Sequence, residues 1–481
     1  MDILFAATEL APFIKVGGLA DVVAALSKAL RQLGHKVTLA MPRFPPLERG
    51  GLLVARRLTP LSFALGPSQI EVTVYDGRLG SGVELALFDV PGLYDREGVY
   101  GERGQDYPDN ARRFAVFSRA VAELARQRAQ SGSPFDVVHV HDWPAALVPL
   151  YLREIERTTG IKSTPTILTI HNLSHQGLFE RDVLPTIGFG DEFFTPERLE
   201  FYAKINFLKG GLISATKVTT VSSTYAREIQ TKQRGEGLEG VLAMRSKDLI
   251  GITNGIDYAT WNPATDTALA ARYDAEDPTN KERCKGAILR ELGFSLSKSG
   301  PLVLHVGRMV VQKGTDLCIA NVPKLVFAGA TVVLVGDGDP ELVERATQVT
   351  ESVPDQSRFL RAAPEATVHR LFAGADIVLV PSRFEPCGLV QLYGQRYGAL
   401  PVAHATGGLC DTIVDCDAAL ETGTGFLFDE PDESELLGAA QRAIAAYATP
   451  RWSALRRRVM RLDLGWDRPA RRYDQVYRSL M

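Results

Sequence analysis

Short apolar runs alternate with stretches whose apolar residues recur every three to four positions, from one end of the chain to the other. Residues 3–7 form an uninterrupted apolar run of strand length. Leu19, Val22, Val23, Leu26 and Leu30 then fall on one face of a helix. Gly34 stops that helix and residues 36–40 open the next strand. The pattern returns at 136–140, 166–170, 217–221, 301–306, 330–335, 376–380 and 400–403. These runs are nearly continuous in Val, Ile and Leu, without strict alternation, which predicts strands buried on both faces. Such strands make parallel sheets covered by helices. Strand–helix–strand units of this kind are right-handed and gather functional loops at the C-terminal strand edge.

The number of such units exceeds what one core supports. At roughly 150 residues per domain the 481 residues would make about three domains, and two large α/β domains fit equally well. A repeated feature favours two. Lys15-Val16-Gly17-Gly18-Leu19-Ala20-Asp21 and Thr406-Gly407-Gly408-Leu409-Cys410-Asp411 share a Gly-Gly-Leu-x-Asp core, and each follows a strand and opens a helix. No short tandem period points to a solenoid. The expected fold class is α/β, with two Rossmann-like domains facing each other across a cleft, spanning 1–247 and 248–455. Residues 451–481 hold nine arginines against three aspartates, with Trp466, Tyr473 and Tyr477 interleaved. Such a segment could contact nucleic acid. An amphipathic helix docking on its own protein, with arginine stems over apolar surface, accounts for it better.

Charge and cysteine usage narrow the class. The net charge of −3 gives no reason to expect a nucleic-acid or membrane partner. With 45% hydrophobic and 23% charged residues, the chain is not a disordered one. Cys284, Cys318, Cys387, Cys410 and Cys416 are odd in number and lack C-x-x-C spacing, which argues for a reducing compartment and against a structural zinc site. The N-terminus enters a strand without a leader-like segment, so a cytoplasmic location is expected.

Four constellations could carry chemistry. In the first, the Gly17-Gly18 turn before a helix offers backbone N–H groups and the positive end of a helix dipole to an anion, with Lys15 as a mobile cation. In the second, Arg308 and Lys313 of Gly307-Arg308-Met309-Val310-Val311-Gln312-Lys313-Gly314 follow a strand. One is planar and bidentate, the other a point charge, and a diphosphate suits such a pair. No Walker sequence is present. The third is Pro381-Ser382-Arg383-Phe384-Glu385-Pro386-Cys387-Gly388-Leu389, where the two prolines hold Glu385 on a rigid loop. The fourth joins His139-Val140-His141-Asp142 to Ile170-His171-Asn172, polar strand ends suited to a hydroxyl-rich ligand. The triplets Asp337-Gly338-Asp339 and Asp415-Cys416-Asp417 resemble metal-binding pairs but read as turn chemistry.

In this order and spacing, the segments resemble the bacterial glycogen synthase and plant starch synthase family across nearly the whole chain. The matching pieces include 15–21, 141–145, 170–177, 220–231, Asn254-Gly255-Ile256-Asp257, 307–314, 381–389 and 406–412. The resemblance implies the glycosyltransferase B fold, with an acceptor-side starch synthase domain, a nucleotide-sugar domain of the glycosyltransferase group 1 type and a final helix, 456–481, crossing back to the first. It implies transfer of glucose from ADP-glucose to the non-reducing 4-hydroxyl of an α-1,4-glucan acceptor, with retained configuration, without metal and without cofactor. By the same resemblance Glu385, His171, Asp142 and Asp21 are candidate catalytic residues. Lys15, Gly17, Gly18, Asn254, Arg308, Lys313, Cys387, Gly388, Leu389, Thr406, Gly407 and Gly408 are candidate ADP-glucose contacts.

One departure bears on the donor. The family often places a base-stacking tyrosine in a G-Y-x-E segment, where this chain reads Ala362-Ala363-Pro364-Glu365. UDP-glucose, or another acceptor, is therefore the alternative. A phosphorylase would need a pyridoxal-phosphate lysine site and a longer chain. A dehydrogenase would need a G-x-G-x-x-G turn that the first strand lacks.

Overall fold

The computed structural model describes residues 1–102, 104–295 and 300–481. Two compact units divide the chain: Met1–Asn254 together with Trp466–Met481, and Gly255–Gly465.

The first unit is built on a ten-stranded sheet. Its strands are β1 (Asp2–Ala6), β2 (Lys36–Pro42), β3 (Val54–Arg56), β4 (Leu61–Leu65), β5 (Ser68–Arg78), β6 (Glu84–Asp89), β7 (Val137–His141), β8 (Thr166–Ile170), β9 (Lys217–Thr220) and β10 (Leu249–Gly251). They run β10-β9-β8-β7-β1-β2-β6-β5-β3, with β4 on β5. From β10 to β6 every pairing is parallel, and β7 and β8 are buried along their whole length. That is the covered parallel sheet expected from unbroken Val/Ile/Leu runs. Strands β3, β4 and β5 add antiparallel pairings. In β4, Leu61, Phe63 and Leu65 are buried while the residues between them are exposed, the period-two signature of a sheet covered on one face. Helix α1 (Gly18–Gln32) buries Leu19, Val22, Val23, Leu26 and Leu30, the apolar face marked by their spacing.

The helix Asp467–Arg478 also belongs to this unit. It buries Ala470, Tyr473, Val476 and Tyr477 and leaves Arg468, Arg471, Arg472 and Arg478 exposed. Its basic face is solvated, and its aromatic rings are core.

The second unit holds a six-stranded, all-parallel sheet. Its strands are β11 (Leu302–Val306), β12 (Thr331–Val335), β13 (Ser357–Leu360), β14 (Ile377–Val380), β15 (Leu400–His404) and β16 (Phe426–Phe428), ordered β13-β12-β11-β14-β15-β16. The order reverses beside the first strand, which is the doubly wound Rossmann arrangement, and it places ligand-binding loops after β11 and β14. At the opposite edge, buried Asp376 anchors the unit. Its carboxylate accepts from Lys285 Nζ at 2.6 Å, the Leu302 amide at 2.9 Å and the Arg456 guanidinium at 2.8 Å.

Two borders differ from the sequence expectation. Strand β10 pairs with β9 and continues the first sheet, so the first unit extends to Asn254, beyond residue 247. The helix Trp452–Met460 buries Leu455, Val459 and Met460 in the second unit, and only from Trp466 does the chain belong to the first. A three-residue edge strand and an arginine-rich helix both carry too little apolar pattern to reveal which sheet they join. Among the described residues, no helix is long and apolar enough to cross a membrane.

Candidate active site

Three loops meet at the C-terminal edge of the second unit's sheet. After β11, Gly307-Arg308 leads through a short turn to Lys313 and Gly314, where helix α2 (Thr315–Phe327) starts. Gly314 has φ +66°, and a Cβ there would lie 2.1 Å from the Pro381 carbonyl oxygen. Only glycine allows this loop to lie on the one that follows β14. Arg383 fastens the two together. Its amide donates to the Gln312 carbonyl at 2.8 Å and its guanidinium to the Val311 carbonyl at 2.6 Å, while Asp316 holds the guanidinium through both oxygens at 2.7 Å. Burial alone would raise the Asp316 carboxyl, but Arg383 outweighs it and the net shift is downward.

This fastening brings Lys313 onto Glu385. Glu385 is 6% exposed, and its Oε2 accepts from Lys313 Nζ at 2.6 Å and from Ser382 Oγ at 2.9 Å. The Ser382 carbonyl is in turn 2.7 Å from His404 Nδ1. Arg308 is exposed, and among the described residues its guanidinium has no hydrogen-bond or ion-pair partner.

The third loop follows β15. Thr406 precedes helix α4 (Gly407–Thr412), which opens with Gly407 at φ +46°. The Gly408 amide donates to the Glu385 carbonyl at 3.0 Å, and a Cβ on Gly408 would lie 2.3 Å from the Cys387 carbonyl oxygen. By the resemblance Gly408 is a candidate ADP-glucose contact. In the structure it spends its N–H on the Glu385 loop and its lack of a side chain on close approach to Cys387. The loop's far side is held by Gln391, whose Nε2 donates to the Cys387 and Gly388 carbonyls at 3.0 and 2.9 Å. Leu389 precedes helix α3 (Val390–Arg396), and the Cys387 side chain is buried.

The first unit carries its own cluster after β1, β7 and β8. Lys15 Nζ lies 3.0 Å from Asp21 Oδ1. The amides of Val16 and Gly17 donate to Glu9 Oε2 at 2.8 and 2.9 Å, so the anion at this turn is a side chain of the protein itself. The other Glu9 oxygen accepts from the Tyr100 hydroxyl at 2.9 Å, which also lies 2.8 Å from the Thr8 hydroxyl. Burial pushes the Glu9 carboxyl above its usual value, against the pull of the two amides.

Asp142 sits in the left-handed region at φ 55°, and its Oδ1 accepts from the His171 amide at 2.7 Å. Burial raises its carboxyl to about 7, the His171 amide opposing and the nearby Glu9 charge adding to the rise. His171 Nε2 is 3.0 Å from His141 Nδ1. Behind it, the His139 ring packs on His141 with centroids 4.3 Å apart. His139 bonds the Tyr477 hydroxyl at 2.8 Å and Thr169 Oγ1 at 2.6 Å. Burial holds His139 and His171 down near 3 and His141 well below its usual value, so all three imidazoles are neutral at pH 7. Asn254 closes the first unit, 8% exposed, with a buried Oδ1 that has no hydrogen-bond partner among the described residues.

The structure therefore gathers Arg308, Lys313, Glu385, Cys387, Gly388, Leu389, Thr406, Gly407 and Gly408 on three adjoining loops of the second unit. Lys15, Gly17, Gly18 and Asp21 lie on one loop and helix start of the first, and Asp142 joins His171. Sequence reasoning missed Glu9, Tyr100, Ser382 and the fastening by Arg383. Glu9 follows β1 directly, and its place at that strand edge was the signal available. Of the aspartate triplets, Asp339 caps a helix through the Glu341 amide at 2.9 Å, whereas Asp415 pairs with Arg442 through both oxygens at 2.8 and 2.7 Å.

Comparison with known proteins gives the same reading. Residues 2–244 match the family model described as starch synthase catalytic domain, and residues 300–446 match glycosyl transferases group 1. A glycogen synthase of Anaeromyxobacter sp. (strain Fw109-5) is 44% identical over 100% of this chain and 99% of its own length. One of Thioalkalivibrio sulfidiphilus (strain HL-EbGR7) is 42% identical over 100% of both. Among solved structures, the catalytic domain of starch synthase IV from Arabidopsis thaliana, bound to ADP and acarbose, superposes with a TM-score of 0.91. It is 33% identical and covers 100% of this chain and 99% of that one. A sucrose-phosphate synthase from Thermosynechococcus elongatus, 18% identical with a TM-score of 0.60 over 100% and 99% of the two chains, shares the fold. With both units built as Rossmann-type α/β layers and full-length relatives at this identity, the chain belongs to the family of bacterial glycogen synthases and plant starch synthases, glycosyltransferases of the B fold.

Proposed function

We propose that this chain transfers the glucosyl unit of ADP-glucose to the non-reducing 4-hydroxyl of an α-1,4-glucan, with retention of configuration. The observation that carries the reading is the Lys313–Glu385 pair, an ammonium and a carboxylate 2.6 Å apart on loops locked by Gly314 and Arg383. Arg308 and Lys313 receive the charge that develops on the departing diphosphate. Groups fixed in place before reaction need no reorganisation as that charge appears, which is where a pre-set site gains most. Glu385 keeps Lys313 oriented while no substrate is bound and meets the glucosyl unit when it is. Lys15 contributes to the donor, while Asp142 and neutral His171 offer hydrogen bonds to sugar hydroxyls. The solved starch synthase with ADP and acarbose supports both an adenine donor and a glucan acceptor.

In this reading Cys387, Gly388, Leu389, Thr406, Gly407 and Gly408 shape the second unit's loops around Lys313 and Glu385, and Asp21, Gly17, Gly18 and Asn254 belong to the first unit's own cluster. The test is incorporation of labelled glucose into glycogen by purified protein, with ADP-glucose and UDP-glucose in separate reactions. Faster transfer from ADP-glucose is expected. No transfer from either donor refutes the reading.

A further inference from the structure

Glu9 is a buried carboxylate just past β1, 4% exposed, and among the described residues its carboxylate accepts hydrogen bonds from the segment that carries Lys15 and from the Tyr100 hydroxyl. One oxygen takes two successive amides of that segment, Val16 and Gly17, at 2.8 and 2.9 Å. Two charge-assisted bonds to one oxygen fix the direction of the peptide plane as well as its distance. The second oxygen is steadied by Tyr100, itself tied down where its carbonyl accepts from Asn110 Nδ2 at 2.7 Å. Among the described residues no other carboxylate is bonded to these two amides, so the turn between Lys15 and helix α1 owes its course to this side chain.

We propose that Glu9 is a positioning residue of the donor site: its carboxylate holds the Val16 and Gly17 amides and thereby sets where the Lys15 ammonium and the Gly18 helix start lie. This rests on the assignment of Lys15 to donor binding. In this proposal Glu9 is no substrate contact, because both its oxygens already accept hydrogen bonds within the protein. It acts through the loop.

The geometry distinguishes charge from shape. In Glu9→Gln, the amide oxygen still accepts from Val16 and Gly17, and its nitrogen can donate to the Tyr100 oxygen. In Glu9→Ala nothing replaces the acceptor. In Glu9→Asp the side chain is one methylene too short to reach both amides. The experiment uses the full chain with four variants, Glu9→Ala, Glu9→Gln, Lys15→Ala and the Glu9→Ala/Lys15→Ala double. Glu9→Asp takes the place of Glu9→Ala if that protein does not fold. Hydrogen exchange of the peptide containing Val16 and Gly17 is measured by mass spectrometry, and kcat and KM for ADP-glucose are measured at saturating glycogen.

Loss of the acceptor is expected to speed exchange at Val16 and Gly17 roughly tenfold or more, as for a lost bond to a charged group. The KM for ADP-glucose should rise by about tenfold with a smaller change in kcat. Glu9→Gln should recover most of both. The double variant should lose little more than Lys15→Ala alone, because both changes remove one unit of function. Unchanged exchange in Glu9→Ala, or losses that multiply in the double variant, overturns the role of Glu9. A Lys15→Ala variant with wild-type KM for the donor instead overturns the assignment of Lys15, and the exchange result identifies which of the two failed.

Discussion

Glu385→Gln separates the catalytic from the structural part of the Lys313–Glu385 pair. Glutamine keeps the size of the side chain, and its oxygen can still accept from Ser382 Oγ, now at 2.9 Å from Glu385. What it removes is the counter-charge 2.6 Å from Lys313. Lys313 keeps about a quarter of its side chain in solvent, so its ammonium can be rehydrated. The folding cost is then that of one charged hydrogen bond at a partly exposed site, about 1–2 kcal/mol. For a unit of this size that lowers the melting temperature by roughly 2–8 °C. The expected loss in kcat is larger, about a hundred- to a thousandfold, the usual result of removing one pre-set charge from a transition state. The assay is glucose transfer from ADP-glucose to glycogen beside a thermal melt of the same protein. If the variant keeps more than a tenth of wild-type kcat while melting several degrees lower, Glu385 is only the counter-ion of Lys313 and the assignment fails.

Other consequences follow from the geometry. Arg383→Lys cannot reproduce the two-oxygen grip on Asp316 together with the bond to Val311, so the KM for ADP-glucose should rise about tenfold with a smaller change in kcat, read from steady-state kinetics. Gly408→Ala places a methyl 2.3 Å from the Cys387 carbonyl oxygen and should abolish transfer while leaving a folded first unit, checked by activity and by limited proteolysis. Asp376→Ala leaves Lys285 and Arg456 buried without their carboxylate and should cost about 3–5 kcal/mol by urea unfolding. Asp142 has a raised folded value near 7, so the native state holds a proton that the unfolded chain releases, and stability falls as pH rises from about 4 to 7. Asp142→Asn should therefore melt higher than wild type at pH 8 and close to it at pH 4, and an equal difference at both values would refute the shift.

The fold was legible at most strands buried on both faces, although Glu84–Asp89, buried at its four central positions, was missed. Val137–His141, Thr166–Ile170 and Thr331–Val335 are buried throughout and mostly apolar, and their runs marked them directly. Leu61–Leu65 and Ser68–Arg78 escaped notice because a sheet covered on one face alternates, and its polar positions dilute the signal. The loops with Arg308, Lys313 and Glu385 were legible through their glycines and prolines, since a left-handed Gly314 and a proline-framed Glu385 are demands of local geometry. Glu9 was not legible, because its partners are backbone amides, which leave no mark on the residues that supply them. The close approach of Gly408 to the Cys387 carbonyl was not legible either, because spacing along one segment cannot reveal a neighbouring loop.

The helix Asp467–Arg478 supplies Tyr477 to His139 in a unit whose other residues end at Asn254. During synthesis the ribosome must therefore deliver the entire second unit before the first can receive its last piece of core. Until then a hydroxyl partner of His139 and the cover over that part of the sheet are missing. A nonsense codon shortly after position 465 would spare the later-made unit and damage the earlier-made one, so such truncations should appear as defects of the nascent chain's first half.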